Sequence, residues 1–363
     1  MFDTPLFFLV FVLVFGVLVF VHELGHFVTA KLAGVKVEEF GFGFPPRLLA
    51  FRRGETEYSL NAIPIGGFVR MLGEDNPREE RSFASAPKRW RAVILLAGAT
   101  MNLLAGVLLF AGGYMSGMPT AVESEVVVRS VVADSPAEQA GVRADDVILR
   151  LGAKEIENTT QLREETQKVL GQPTTLVVRR EGAEVPLKIT PYPDYRPDRG
   201  ALGVSITDWP TKTEPVKYPL DQALANGARD VARLVQLTAG LPGMLVRGLV
   251  PAEAARPVGP VGIYQLTSQA TEETVRTGML FPIFLVAALL SVGLGIANVL
   301  PIPGLDGGRL LFVVIEAVRG RRISPEREGA IHFAGIAALL AISLLIAYFD
   351  VIRPVPDIDW GIR

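Results

Sequence analysis

The sequence predicts an α-helical membrane protein with about four transmembrane helices, a membrane-associated β-region and an inserted extracytoplasmic α+β domain. Three observations point there. Hydrophobic residues make up 49% of the chain, too much apolar surface for one small soluble core. They are gathered into runs: Leu6–Val21, Ala92–Met118 and Gly278–Leu305 hold no charged residue, and Ile331–Phe349 holds one ionisable group, His332. Runs of about 18 to 25 apolar residues match the roughly 30 Å hydrocarbon layer at 1.5 Å per residue. Core helices of a soluble enzyme are rarely so long and so uniformly apolar. Finally, Lys and Arg cluster beside alternate runs, as they do in a chain threaded through a bilayer.

The elements follow in order. Residues 1–34 hold the first helix. Its flank Met1-Phe2-Asp3-Thr4-Pro5 has no basic residue, and the run leads into His22-Glu23-Leu24-Gly25-His26 rather than a small-residue cleavage site, so it reads as a retained helix and not as a signal peptide. Residues 35–90 form a cytoplasmic segment. Its first part, 35–72, alternates and breaks at Gly and Pro, and Leu48–Phe51 with Tyr58–Leu60 flank Arg53-Gly54 as a hairpin would. The second helix covers 91–118. Residues 123–208 change to a soluble α/β composition, with strands at Val126–Val128 and Leu176–Val178 and helices at 136–141 and 160–170. Within 217–277, Leu220, Leu224, Val231, Leu234 and Val235 stand at helical spacing. That suggests an amphipathic helix packed on the soluble domain or lying on the membrane surface. Residues 278–363 hold the third and fourth helices.

Orientation follows from the basic residues. Lys31, Lys36, Arg47, Arg52, Arg53, Arg70, Arg78, Arg81, Lys88, Arg89 and Arg91 follow the first helix, and Arg319, Arg321, Arg322 and Arg327 lie between the last two. Both groups face the cytoplasm by the positive-inside rule, which puts residues 123–277 outside. The net charge of −2 says nothing specific, and no basic stripe supports a nucleic-acid partner, so none is expected. The absence of cysteine excludes disulfide and thiol chemistry.

His22-Glu23-Leu24-Gly25-His26 matches H-E-x-x-H. On a helix, positions i and i+4 share a face, so both imidazoles reach one Zn²⁺, and Glu23 stands where it takes a proton from the zinc-activated water nucleophile. The chain has three histidines in all, and two occupy this motif at the end of a membrane segment, where ionisable groups are costly and usually functional. A catalytic zinc normally has three protein ligands. The candidate for the third is Asp306 in Asn298-Val299-Leu300-Pro301-Ile302-Pro303-Gly304-Leu305-Asp306-Gly307-Gly308, where two prolines interrupt an apolar run. His22 lies about 26 Å along its helix from Pro5, and Asp306 ends the third crossing, which runs the same way. Both therefore sit near the cytoplasmic leaflet.

H-E-L-G-H on a first membrane helix with N-V-L-P-I-P-G-L-D-G-G on a later one resembles the site-2 protease family of intramembrane zinc metalloproteases, in its bacterial RseP/RasP-like branch. The resemblance covers almost the whole chain. It implies that His22, His26 and Asp306 bind zinc and that Glu23 is the general base. Asn61–Met71 is similar to the family's membrane-associated β-region, which implies that Gly66, Gly67 and Phe68 meet extended substrate. Ala97-Gly98-Ala99-Thr100-Met101-Asn102 resembles the second-helix motif, with Ala99 where proline is usual; by resemblance Asn102 and Asn298 contact substrate or the oxyanion. Ser135–Val142 followed by Asp146-Val147-Ile148 resembles a single, circularly permuted PDZ domain. The position matched to its carboxylate loop, Ser124-Glu125-Val126, has no glycine and carries an acid, which favours a steric filter. The implied activity is regulated intramembrane proteolysis in a bacterial cytoplasmic membrane, on membrane-spanning proteins such as anti-sigma factors or signal-peptide remnants. A membrane-bound PDZ adaptor with a vestigial metal site has no need of Glu23, and a metal transporter wants a chain of intramembrane ligands rather than one cluster.

Overall fold

The computed structural model describes residues 3–74, 79–194, 200–251 and 256–362, except the side chains of residues 3, 4, 64 and 65. Arg78, one of the residues weighed for orientation, lies outside them. The chain divides into two compact units, Met1–Gly117 with Lys217–Ile358, and Met118–Val216 with Asp359–Arg363.

The first unit is helical around a β-hairpin. Its elements are α1 (Asp3–Leu32), β1 (Val37–Arg53), β2 (Thr56–Met71) and α2 (Lys88–Gly117), then, after the second unit's segment, α5 (Leu220–Val246), α6 (Pro260–Thr277), α7 (Phe281–Val299), α8 (Asp306–Arg319) and α9 (Pro325–Ile352). Among the described residues, four helices are long and apolar enough to cross a bilayer: Pro5–Leu32, Lys88–Gly117, Phe281–Val299 and Pro325–Ile352. The protein is a membrane protein. Its lipid-facing character is plainest on α9, where Phe333, Leu340, Leu344 and Leu345 are exposed on several sides of one helix.

Helix α2 is the centre of this unit and packs against α1, α5, α7 and α8. Small residues let the backbones close up. A Cβ on Gly25 of α1 would lie 2.5 Å from the Ala97 carbonyl oxygen, and one on Gly227 of α5 would lie 2.6 Å from that of Val107. Where α2 meets α8, buried Arg91 donates to Glu316 at 2.6 Å.

Two sequence expectations change here. The amphipathic helix is α5, and Val231 on its apolar face is buried against other helices of the same unit. Val231 packs with Phe110 of α2 and with Ala288 and Val292 of α7, because a face with Gly227 at its centre fits a neighbouring helix more closely than a lipid headgroup layer. The third crossing also stops sooner than its apolar run. Helix α7 ends at Val299, since Pro301 and Pro303 cannot donate helical hydrogen bonds, and Asp306 opens the separate helix α8 rather than closing a crossing.

β1 and β2 form a hairpin that folds back on itself. Leu49, Ala50 and Phe51 pair with Leu60, Ser59 and Tyr58 across the Gly54-Glu55 turn. The first half of β1 is paired on both sides: Phe40 with Tyr58 and Val69, Gly41 with Ser59 and Phe68, Phe42 with Leu60 and Gly67. Residues 67–71 therefore form an outer strand, and among the described residues no strand pairs with their far edge.

The second unit carries β3 (Met118–Val131), α3 (Pro136–Ala140), β4 (Val147–Leu151), β5 (Lys154–Glu155), α4 (Thr159–Lys168), β6 (Thr174–Arg180), β7 (Ala183–Ile189) and β8 (Val204–Val216). The sheet order is β7-β6-β4-β3-β8, with β5 beside β4. Alternation places Val126 and Val128, Ile148, and Leu176 and Val178 on one face, where they bury Leu162 of α4 and Ala137 of α3. Local signals set the short helices. Ser135 accepts from the Glu138 N–H at the start of α3, Pro136 follows it, and Gly141 ends the helix at φ +82°. Burial works against the charge on Asp146, but Arg180 and the Arg143 N–H hold its carboxyl below the ordinary range. The segment Ser124–Val126 lies within β3, an interior strand; Val126 pairs with Ile148 on one side and Asp208 on the other. Ser124 and Glu125 pair with Pro210 and Trp209 of β8. The free edge on that side of the sheet belongs to β8.

Candidate active site

α1 delivers His22, Glu23 and His26 one turn apart, and α8 delivers Asp306 as its first residue. His22 Nε2 and His26 Nε2 are 3.2 Å apart, and Asp306 Oδ2 lies 3.1 Å from each. Both histidines are buried, at 7% and 6% exposure. The Nδ1 of His26 donates to the Ile94 carbonyl oxygen at 2.8 Å. That leaves Nε2 of neutral His26 as a lone pair aimed at Asp306. Atoms about 2.0–2.1 Å from a tetrahedral zinc stand roughly 3.3 Å from one another. The two nitrogens and the carboxylate oxygen therefore fit zinc in separation and in kind. Among the described residues, this trio is the one His/Cys/Asp/Glu group able to hold a metal.

The histidines are fixed from behind. Ile94 of α2 sets the ring of His26. Asn102 of α2 is fully buried, its amide is 3.2 Å from His22 Nδ1, and its Oδ1 as placed has no partner. Exchanging the amide O and N, which are alike in shape, turns Oδ1 into the acceptor of a His22 Nδ1–H bond. Asn102 is itself held by Ser291 of α7, whose hydroxyl donates to its carbonyl at 2.8 Å. Such partners of a ligand's second nitrogen fix tautomer and ring orientation.

Gly98 was legible as part of the second-helix motif, but its role was not. A Cβ there would lie 2.5 Å from His26 Nε2 and 2.7 Å from His22 Nε2. It stands one turn before Asn102 on the same face of α2, and that spacing was the available signal.

A cavity of about 280 Å³ opens at the three donor atoms and is lined also by Glu23, Gly67, Phe68, Val69 and Asn298. Among the described residues, the structure thus brings together His22, Glu23, His26, Asp306, Asn298, Gly67 and Phe68. The Val69 backbone faces the Glu23 carboxylate, and a side chain at Gly67 would meet Glu23 Cγ at 3.2 Å. Asn298 turns its amide to the Leu294 carbonyl at 3.1 Å. Two expected residues stand elsewhere. Asn102 is behind His22, outside the cavity lining. Gly66 is buried within β2, at φ +102° with the Phe44 ring against it, where only glycine fits. Arg309 and Glu74, unmarked in the sequence, face each other at 2.7 Å on the cavity wall.

The chain is similar to known proteins over almost its whole length. The model of peptidase family M50 matches residues 10–342. The zinc metalloprotease RasP of Oceanobacillus iheyensis is 30% identical, over 94% of this chain and 98% of its own. A putative zinc metalloprotease of Clostridium acetobutylicum is 30% identical over 95% and 97%. The regulator of sigma-W protease RasP of Bacillus subtilis is 28% identical over 94% and 97%. The chain belongs to peptidase family M50, the site-2 protease family of membrane zinc metalloproteases.

Proposed function

We propose that His22, His26 and Asp306 hold the zinc of this metalloprotease, and that Glu23 is the general base for hydrolysis of peptide bonds in or beside the transmembrane segments of protein substrates. The convergence of three donor atoms from α1 and α8 carries this reading. When bound, zinc supplies a Lewis acid and lowers the pKa of a coordinated water towards about 7. Glu23 lies on the same cavity wall, takes the proton of the attacking water and hands it to the departing amine. Asn102 and Ile94 hold the imidazoles with their Nε2 lone pairs aimed inward. A helical peptide bond is shielded by its own turn, so substrate must be unwound first. The unpaired edge at Gly67–Met71 offers backbone partners for an extended segment beside Glu23, and Phe68 and Asn298 line its path.

Gly98→Ala tests the support of the histidines. Both rings are tied by hydrogen bonds and cannot yield to a methyl group, so the variant is expected to bind zinc at least about 10-fold more weakly, the scale of a lost ligand support. Zinc affinity by chelator competition checks it, and wild-type affinity would show that the rings can move.

The same reading puts the protein in a bacterial cytoplasmic membrane, with residues 123–277 outside. The native chain has no cysteine, so a single cysteine at the exposed turn residue Ala153 is expected to react with an impermeant thiol reagent on intact cells. Reaction only after the membrane is broken would invert the topology. The segment 123–208 is a circularly permuted PDZ domain in this reading, and the free edge of β8 supports gripping of an extended terminus. A substrate trimmed outside to a free carboxylate should then be cut faster than its amidated twin. Equal rates would leave the domain as a size filter. The sigma-W name of the Bacillus subtilis relative favours a substrate that restrains a sigma factor, with signal-peptide remnants as the second class.

A further inference from the structure

The third histidine lies far from the H-E-x-x-H motif, on α9, and bonds to the segment that carries Asp306. His332 Nδ1 accepts the Gly304 backbone N–H at 2.9 Å. Gly304 stands two positions before Asp306, in the non-helical stretch 300–305 between α7 and α8. This stretch has few ties of its own. Ile302 N donates to Leu300 O at 2.7 Å and Leu305 N to Ile302 O at 3.1 Å, while the prolines at 301 and 303 have no N–H to offer. Gly304 adopts φ +100°, one of many conformations that glycine reaches freely, so its own backbone does not impose it.

α9 imposes it along one face. Residues 332, 335, 336 and 339 lie at i, i+3, i+4 and i+7 and meet the stretch together. A Cβ at Gly335 would fall 2.1 Å from the Pro303 carbonyl oxygen, so α9 lies directly on that peptide. A Cβ at Gly304 would lie 3.0 Å from the Ile336 side chain and 3.1 Å from its backbone nitrogen. The His332 ring is seated against Phe312 of α8, with centroids 5.3 Å apart, so its Nδ1 is held where Gly304 needs an acceptor. The rest of α9 is largely exposed. At its other end, buried Asp350 accepts from the Gly259 and Gly262 N–H groups at 2.9 Å.

We propose that His332 is a positioning residue for the metal centre: its Nδ1 fixes Gly304, and through Gly304 the carboxylate of Asp306. The last membrane helix is thereby a clamp on the third ligand as well as an anchor. The proposal rests on the reading of Asp306 as a zinc ligand. His332 is not part of the cavity lining and acts through the backbone two residues away. A neutral imidazole with its lone pair on Nδ1 is required.

Full-length protein, purified in nanodiscs, tests this with His332→Phe, which keeps the ring on Phe312 and removes the acceptor, and His332→Asn, whose Oδ1 can take the place of Nδ1. Zinc affinity is measured by chelator competition, and amide exchange of residues 300–308 is measured on the zinc-free protein. His332→Phe is expected to bind zinc about 10- to 100-fold more weakly, the range for ligand-supporting partners, and to exchange faster over 300–308. His332→Asn is expected to recover most of both. Gly335→Ala, which displaces Pro303 and leaves His332 in place, should also weaken zinc binding. Wild-type affinity in His332→Phe, or equal losses in the Phe and Asn variants, would overturn the proposal. Should His332→Phe not fold, wild-type affinity in Gly335→Ala would overturn it alone. Asp306→Ala is measured alongside: if it keeps full affinity, the ligand reading itself has failed, and if it loses zinc while His332→Phe does not, only the clamp has.

Discussion

Glu23→Gln is expected to lower cleavage of a membrane-embedded substrate by about 10² to 10⁴-fold or more, the usual scale for loss of a general base, while zinc content and substrate binding stay near wild type. The amide matches the carboxylate in shape but cannot accept the water proton. The site makes this separation clean. Glu23 is not one of the three converging donor atoms, and its neighbours Gly67 and Val69 constrain its shape and its backbone-facing hydrogen bond rather than the metal. Single-turnover cleavage, with zinc measured on the same sample, checks it. Retained activity would move the base elsewhere, and loss of zinc would make Glu23 a support of the metal rather than the base.

Removing one ligand should act on both quantities together. In Asp306→Ala, His22→Ala or His26→Ala, two protein donors remain, and zinc affinity is expected to fall more than about 100-fold, beyond the range for supporting partners. Cleavage should fall with it and return only partly with excess zinc. The three variants are expected to agree, because the donor atoms stand 3.1–3.2 Å apart in one equilateral group. Full zinc occupancy in Asp306→Ala would place the third ligand on another residue.

What the sequence by itself determined is what depends on neighbours along the chain. The apolar runs that become α1, α2, α7 and α9 show as uninterrupted stretches, because bilayer thickness fixes their length. His22, Glu23 and His26 share a helical face by arithmetic alone. The turn at Gly54 and the Ser135-to-Gly141 helix announce themselves through residues that fix local backbone geometry. Asp306 was legible as a ligand candidate from its prolines and its depth, though not as the first residue of a new helix.

The tertiary structure decided the rest, for a common physical reason: close approach between distant segments leaves no periodic mark. The 3.1 Å gap between His22 and Asp306 spans a separation of 284 residues. Gly98 matters because two imidazoles come within reach of its missing side chain, and Asn102 because His22 Nδ1 lies 3.2 Å away. The face of α5 was readable as apolar, but only packing showed that its partners are α2 and α7. Whether a strand is interior or at an edge is likewise settled by its neighbours, and only pairing showed that Gly67–Met71 forms an outer strand of the hairpin.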